Sequence, residues 1–298
     1  PYYYRFTEKF PTVFDLAKAK EDDVLKLWQG LGYYSRARNM HFTAKYIVNE
    51  LNGEFPTTYS EIIKLKGIGE YTGAAIASFC FKEKVPVVDG NVYRVISRYF
   101  GIKKPIDDTQ TKKEVRAICE EIIPSSRPDD FNQAIMEFGA LQCTPKSTNC
   151  EPCPLKDSCW AFSNNKVSEL PFKAKKIKKR DRYFYYLIFE NGGKTLIRKR
   201  SGKDIWQGLY EFPYLENEKS VSENDILKSI KTDSSLKVNQ ISEYKKHVLS
   251  HQNIYAKFIH LSVDENTMNN AVLEHAAKSY TVNDIHNFAF PRLIENHI

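Results

Sequence analysis

Cys143, Cys150, Cys153 and Cys159 form a C-x6-C-x2-C-x5-C run, and no other feature of this chain limits what it can fold into so sharply. Four thiols this close in sequence share one short irregular loop, where a bound metal can deprotonate each sulfur that it ligates. On spacing alone the metal is zinc or an iron-sulfur cluster, because both accept four cysteines. Two disulfides fit poorly. Disulfide frameworks belong to small secreted domains, whereas this chain has 298 residues, six cysteines and no export signal at its start. The other two cysteines, Cys80 and Cys119, lie in apolar helical stretches and are expected to pack in the core.

A chain of this length with 42% hydrophobic residues buries a full core and divides into two domains. No apolar run approaches the 18 or more residues of a membrane span, so a soluble, intracellular protein is expected. The chain opens at Pro1 without a methionine, and residues upstream of it are expected. Apolar residues recur at helical spacing in Glu21 to Leu27, Ala37 to Leu51, Tyr71 to Phe81, Val92 to Tyr99, Lys112 to Ile122 and Phe131 to Leu141. Thr58 to Glu61 has the form of a capping box. Residues 1–163 therefore read as an all-helical domain. Residues 164–182 carry eight Lys or Arg against Glu169 and Asp181, and so hold most of the chain's net charge of +7. This basic stretch reads as an exposed linker, either simply solvated or also touching phosphates. Residues 183–298 read as a smaller α+β domain, with strands at Tyr183 to Phe189, Thr195 to Ile197 and Ile254 to Leu261 and a helix near Glu223 to Ile230.

Leu65-Lys66-Gly67-Ile68-Gly69 separates two helical stretches. Two glycines make a tight turn that lets backbone approach a ligand, and the amides of the next helix start point outward with its positive dipole end. The segment is either a plain helix-helix turn or a phosphate grip. Twenty residues on, Asp89 opens the helix of Val92 to Tyr99. By itself it is an N-cap. A carboxylate held by backbone donors also stays ionised, and a fixed anion is what a developing sugar cation needs. Tyr33 and Tyr34, after Gly30-Leu31-Gly32, are either core aromatics at a turn or exposed ones.

GLGYYSRARN (Gly30 to Asn39), LKGIGEYTGAAI (Leu65 to Ile76), VDGNVYRV (Val88 to Val95), FNQAIMEFGALQC (Phe131 to Cys143) and the cysteine run occur in an order that resembles the helix-hairpin-helix DNA glycosylase superfamily. Within it, the adenine-excising branch is the most similar. The resemblance covers essentially the whole chain. It implies that Cys143, Cys150, Cys153 and Cys159 hold a 4Fe-4S cluster, and that Lys66, Gly67, Ile68 and Gly69 grip DNA phosphates through backbone. It further implies that Asp89 stabilises the oxocarbenium ion at C1′, with Asn91 positioning it, and that Leu31 and Tyr33 wedge into the base stack beside the lesion. Members that also cut the strand carry a lysine two residues after the second hairpin glycine. Here that catalytic position is Tyr71, and a phenol forms no imine. A monofunctional enzyme is expected, acting as a monomer in the cytoplasm, nucleoid-associated when bound, on double-stranded DNA with 8-oxoguanine:A or G:A mispairs.

Trp206 to Pro213 resembles the stretch leading into a Nudix box, but the residues from Tyr214 to Glu218 and beyond lack the carboxylates that would hold Mg²⁺. A Nudix-like fold kept for recognition is expected. The family's Phe-Ser-His lesion-reading loop has its counterpart in Leu249-Ser250-His251; the hydroxyl of Ser250 both donates and accepts, and the leucine departs from the pattern. In the family a catalytic Glu lies on a helix upstream of the segment resembling PYYYRF. A chain without it would bind lesions without excising base, since losing a general acid costs about 10²- to 10⁴-fold. A third reading, an endonuclease III relative acting on oxidised pyrimidines, is disfavoured by Tyr71 and the appended domain.

Overall fold

The computed structural model describes residues 1–174, 178–230 and 236–298. Lys175 and Lys176 of the basic stretch lie outside the described residues. The chain forms two compact units, Pro1–Gly53 with Ile177–Ile298, and Glu54–Lys176. Pro1–Gly53 thus groups with the C-terminal half of the chain, although in sequence it is continuous with the helical half.

In the first unit the chain opens with α1 (Tyr2–Lys9), α2 (Val13–Lys18), α3 (Glu21–Trp28) and α4 (Tyr34–Glu50). A reciprocal capping box between Thr12 and Asp15 starts α2. The three-to-four spacing of Ala37, His41, Ala44 and Ile47 gives α4 one buried face.

The second unit holds α5 (Tyr59–Ile62), α6 (Glu70–Phe81), α7 (Gly90–Phe100), α8 (Thr109–Ile122), α9 (Pro128–Leu141) and α10 (Trp160–Ser163). The capping box expected at Thr58 to Glu61 does not form. The Thr58 hydroxyl donates to the Glu61 carboxylate at 2.7 Å, and the first amide of α5, on Tyr59, is met instead by Glu83 at 2.6 Å. The Glu61 amide, which the Thr58 hydroxyl would meet in a capping box, donates instead to the Thr58 carbonyl at 3.1 Å, and α5 stays a single turn. Cys119 is buried as expected, but Cys80 is exposed. Gly73, Ala74, Ala77 and Ser78 form the inward sector of α6, and Cys80 falls outside it.

The rest of the first unit is built on β1 (Arg180–Asn191), β2 (Lys194–Lys199), β3 (Tyr210–Glu211), β4 (Tyr214–Asn217), β5 (Lys237–Ile241), β6 (Lys245–Val248), β7 (Gln252–Ser262) and β8 (Lys278–Thr281). With them come α11 (Glu223–Ser229), α12 (Glu265–Glu274) and α13 (Arg292–Glu295). The main strand order is β3-β2-β1-β7-β5, with β4 on β1, β6 on β7 and β8 on β2. β1 and β7 run parallel, placing Tyr183 beside Tyr255, and the other described pairs are antiparallel.

Alternation along β1 feeds two cores. Phe184, Tyr186 and Ile188 join Leu25, Tyr34 and Phe10 of the opening helices, while Tyr185, Leu187 and Phe189 join Ile226 of α11 and Met268 of α12. Each such side chain contributes about 1.5–3 kcal/mol of burial, which holds the opening helices to the sheet. The basic linker ends earlier than its composition indicated. Arg180 to Arg182 already belong to β1, and Arg182 is buried because Asp204 at 2.8 Å and Glu216 at 2.6 Å neutralise it. Glu211, within the Nudix-like stretch, is likewise buried between Arg198 and Arg200. Among the described residues no helix is long and apolar enough to cross a membrane.

Candidate active site

The sequence-derived site residues fall into two sets, one in each unit. In the second unit, α5 and α6 are joined by the turn of Leu65 to Gly69. Leu65 is buried, Lys66, Gly67 and Gly69 are exposed and Ile68 is half-buried against Ile62 and Ala74. Gly67 has φ +85°, a left-handed conformation that glycine adopts without strain. Gly69 is the N-cap of α6, and a side chain there would meet nothing within 4 Å. The turn therefore presents open backbone and the amides of a helix start to solvent, a geometry suited to an anionic oxygen. Tyr71, in the first turn of α6, is exposed, and its hydroxyl reaches the sulfur of Met136 at 3.9 Å.

Asp89 is the N-cap of α7, so its plain structural role holds. Its Oδ1 accepts from the backbone amides of Asn91 and Val92, both at 2.8 Å, and its Oδ2 accepts from the Asn91 side-chain amide at 2.8 Å. Three donors fix a half-buried carboxylate in one orientation. Asn91 is itself held, because its Oδ1 accepts from the Arg94 guanidinium at 2.9 Å. Arg94, buried, also donates through Nε to the carbonyl of Cys143 at 2.6 Å and through its terminal nitrogen to the carbonyl of Gly139. Burial lowers its pKa, a shift opposed by the thiol of Cys143 and the carboxylate of Asp89. An unbroken chain of hydrogen bonds thus runs from Asp89 through Asn91 and Arg94 to the backbone of the first clustered cysteine.

Cys143, Cys150, Cys153 and Cys159 line one cavity with Val95, Tyr99, Phe138, Leu155 and Phe162, and none forms a disulfide. Arg98, buried, brings its guanidinium within 3.3 Å of Cys143 Sγ and anchors to the carbonyls of Thr144 and Leu170 at 2.8 and 2.9 Å. Burial, followed by Cys143, Cys153 and Cys159, raises the pKa of the Cys150 thiol. Cysteines bind a metal as thiolates, and the cation offsets the repulsion among them. Arg94 and Arg98 escaped notice in the sequence. The available signal was two cations four residues apart among Val92, Val95 and Ile96, on a helix face that should be apolar.

In the first unit, Gly30 and Gly32 take φ +93° and +73°, and Tyr33, the N-cap of α4, takes φ +47°. A left-handed aromatic residue is uncommon, and here it separates the two tyrosines. Tyr34 goes into the core with its hydroxyl accepting from the Gly30 amide at 3.2 Å, while Tyr33 and Leu31 stay exposed at 64% and 44%. The Arg36 guanidinium lies 4.8 Å from the centre of the Tyr33 ring. Ser250 and His251 are exposed at the tip of the β6–β7 hairpin, closed by the Leu249 amide donating to the Gln252 carbonyl at 2.8 Å. Leu249 packs inward against the sheet core. The hydroxyls of Tyr33 and Ser250 are 3.3 Å apart, so the structure brings together two residues that are 217 apart in sequence.

A helical hairpin with an open glycine turn, a capped aspartate at the next helix and a four-cysteine loop define a helix-hairpin-helix protein of DNA base excision. Residues 1–125 match the model described as HhH-GPD superfamily base excision DNA repair protein, and residues 184–298 match that of the NUDIX domain. The chain is 37% identical over 269 residues to the adenine DNA glycosylase of Buchnera aphidicola subsp. Baizongia pistaciae, spanning 89% of this chain and 74% of that protein. It is 34% identical over 278 residues to the adenine DNA glycosylase of Arabidopsis thaliana, 82% of this chain and 42% of the relative. A solved thermostable thymine-DNA glycosylase superposes with a TM-score of 0.51 at 29% identity, over 55% of this chain and 75% of that one. The chain belongs to the adenine DNA glycosylase family.

Proposed function

We propose that this protein hydrolyses the N-glycosidic bond of adenine mispaired with 8-oxoguanine or guanine in double-stranded DNA, leaving the backbone uncut. The observation that carries this reading is the Asp89 carboxylate, held by three donors at the head of α7. As the bond to adenine breaks, positive charge grows at C1′, and an anion already oriented gains on the transition state without reorganising. Asn91 positions it. The turn of Lys66 to Gly69 holds the phosphate backbone, and Leu31 and Tyr33 fill the space that the flipped base vacates. Tyr71 stands where a Schiff-base lysine would be needed for strand cleavage. Ser250 and His251 read the opposing purine.

Cys143, Cys150, Cys153 and Cys159 would hold a 4Fe-4S cluster. A single tetrahedral zinc, about 2.3 Å from each sulfur, draws its ligands close together. A cluster also takes four thiolates, and the family to which the chain belongs favours it for the four cysteines that line this cavity. The buried guanidinium of Arg98 also suits a cluster that is anionic with its thiolates. When bound, the cluster would cross-link the loop that exposes Lys146.

Single-turnover release of adenine from an 8-oxoguanine:A duplex tests the proposal. The whole protein, including any residues that precede Pro1, should release adenine and leave an alkali-labile abasic site. Asp89→Asn should slow release about 100-fold or more while retaining duplex binding, and borohydride should trap no covalent adduct. Tight lesion binding without release would instead mark a protein that recognises but does not excise.

A further inference from the structure

Asn132 is fully buried on α9, and its side chain makes three hydrogen bonds with parts of two other segments. Its Oδ1 accepts from the Val87 amide at 2.9 Å, and its Nδ2 donates to the Val85 carbonyl at 2.9 Å and to the Ser78 hydroxyl at 2.8 Å. Val85 to Val88 is the segment, neither helix nor strand, that delivers the chain to Asp89. Ser78 sits on α6, the helix whose first turn follows Gly69. One amide therefore ties the hairpin helix and the approach to Asp89 to a third helix. The same helix continues the contact. Met136, one turn on, receives the Tyr71 hydroxyl, and Gly139 lies against Asn91 so closely that an added Cβ would come within 2.7 Å of the asparagine's own.

We propose that Asn132 is a positioning residue for Asp89, fixing through Val85 and Val87 the segment that leads to the carboxylate; this rests on the glycosylase reading. A leucine at this site would keep the side chain's approximate size without its hydrogen bonds. It would leave a buried amide and a buried carbonyl of the Val85–Val87 stretch unpaired, each costly in an apolar interior. The stretch then moves to find other partners, and Asp89 moves with it. Displacement of about 1 Å in a reacting group can cost 10²-fold in rate without touching the binding surface.

The experiment compares the whole, cluster-loaded protein with Asn132→Leu and Ser78→Ala. Adenine release is measured in single turnover at saturating protein, and affinity on a duplex whose adenine nucleotide carries a 2′-fluorine that blocks hydrolysis. Amide resonances of Asn91 and Val92, the two donors to Asp89, are followed by NMR. Asn132→Leu should slow release about 10- to 100-fold, leave affinity within threefold, and shift both resonances. Ser78→Ala keeps both bonds to the Val85–Val87 stretch and should change release less than threefold. If Asn132→Leu does not fold, Asn132→Ser, neutral and too short to bridge Val85 and Val87, should give the same split. An unchanged release rate overturns the proposal, and so does a rate that falls only in step with affinity. A wild type that releases no adenine overturns the glycosylase reading; unmoved Asn91 and Val92 resonances would then separately overturn the role of Asn132.

Discussion

At Gly139 a methyl group would lie 3.0 Å from the carbonyl oxygen of Asn91 as well as against its Cβ. Backbone cannot yield as a flexible side chain would, so Gly139→Ala should cost about 1–3 kcal/mol in chemical denaturation. Because Asn91 is the residue displaced, base release should slow more than binding weakens. A second prediction concerns thiols. Burial, first, and Glu120 push the Cys119 thiol up to about 12, whereas Cys80 is exposed. Alkylation of the folded protein at pH 8 should mark Cys80 and spare Cys119, with peptide mass mapping as the check. At this scale the sequence was legible where chemistry is local. Asp89 was readable as a cap because its acceptors and donors lie within three residues. Arg94 and Asn132 were not, since their partners, the carbonyls of Cys143 and Val85, lie 49 and 47 residues away.

Helices of the second unit could be read from sequence because their periodic apolar faces pack on one another. At α5 the helix forms without its capping box, because the Glu61 amide turns to the Thr58 carbonyl. β6 was missed because Lys245 to Val248 carries no alternation, and its pairing to β7 defines it instead. The residues that follow α13 hide a further dependence. His297 stacks on Phe258 with ring centres 3.7 Å apart and meets Lys245 of β6 at 3.2 Å and His260 of β7 at 3.1 Å, while His260 reaches Glu190 of β1 at 2.9 Å. The ammonium donates to His297 Nδ1, so His297 Nε2 carries the proton and donates to His260, which donates in turn to the carboxylate. Burial, then Lys245 and His260, hold the His297 pKa down to about 4 from 6.5. The folded form keeps this ring neutral where the unfolded chain would protonate it. Its contribution to stability is therefore complete above pH 6.5 and lost as pH falls toward 4. Melting temperatures across that window should fall more for the wild type than for His297→Gln.

Across the whole molecule the net charge of +7 favours a polyanionic partner. Lys178 and Lys179 are exposed just before β1. If they face phosphates, converting both to alanine should flatten the plot of log affinity against log salt by about 0.9 for each phosphate no longer neutralised. An unchanged slope would leave them as solvated charges. The grouping of Pro1–Gly53 with the sheet was not legible in the sequence. Periodicity shows that α3 and α4 have apolar faces but not that Phe184, Tyr186 and Phe258 cover them.

Because the first unit is assembled from the two ends of the chain, its opening helices leave the ribosome long before their partners exist. Leu25 and Tyr34 wait for β1 and β7 while all of Glu54–Lys176 is synthesised, a delay on the order of 10 s at typical elongation rates. The inserted unit is made in one continuous stretch and can fold during that interval. The half of the molecule that holds Asp89 and the four cysteines is thus complete first, and the half that carries Tyr33 and Ser250 closes last.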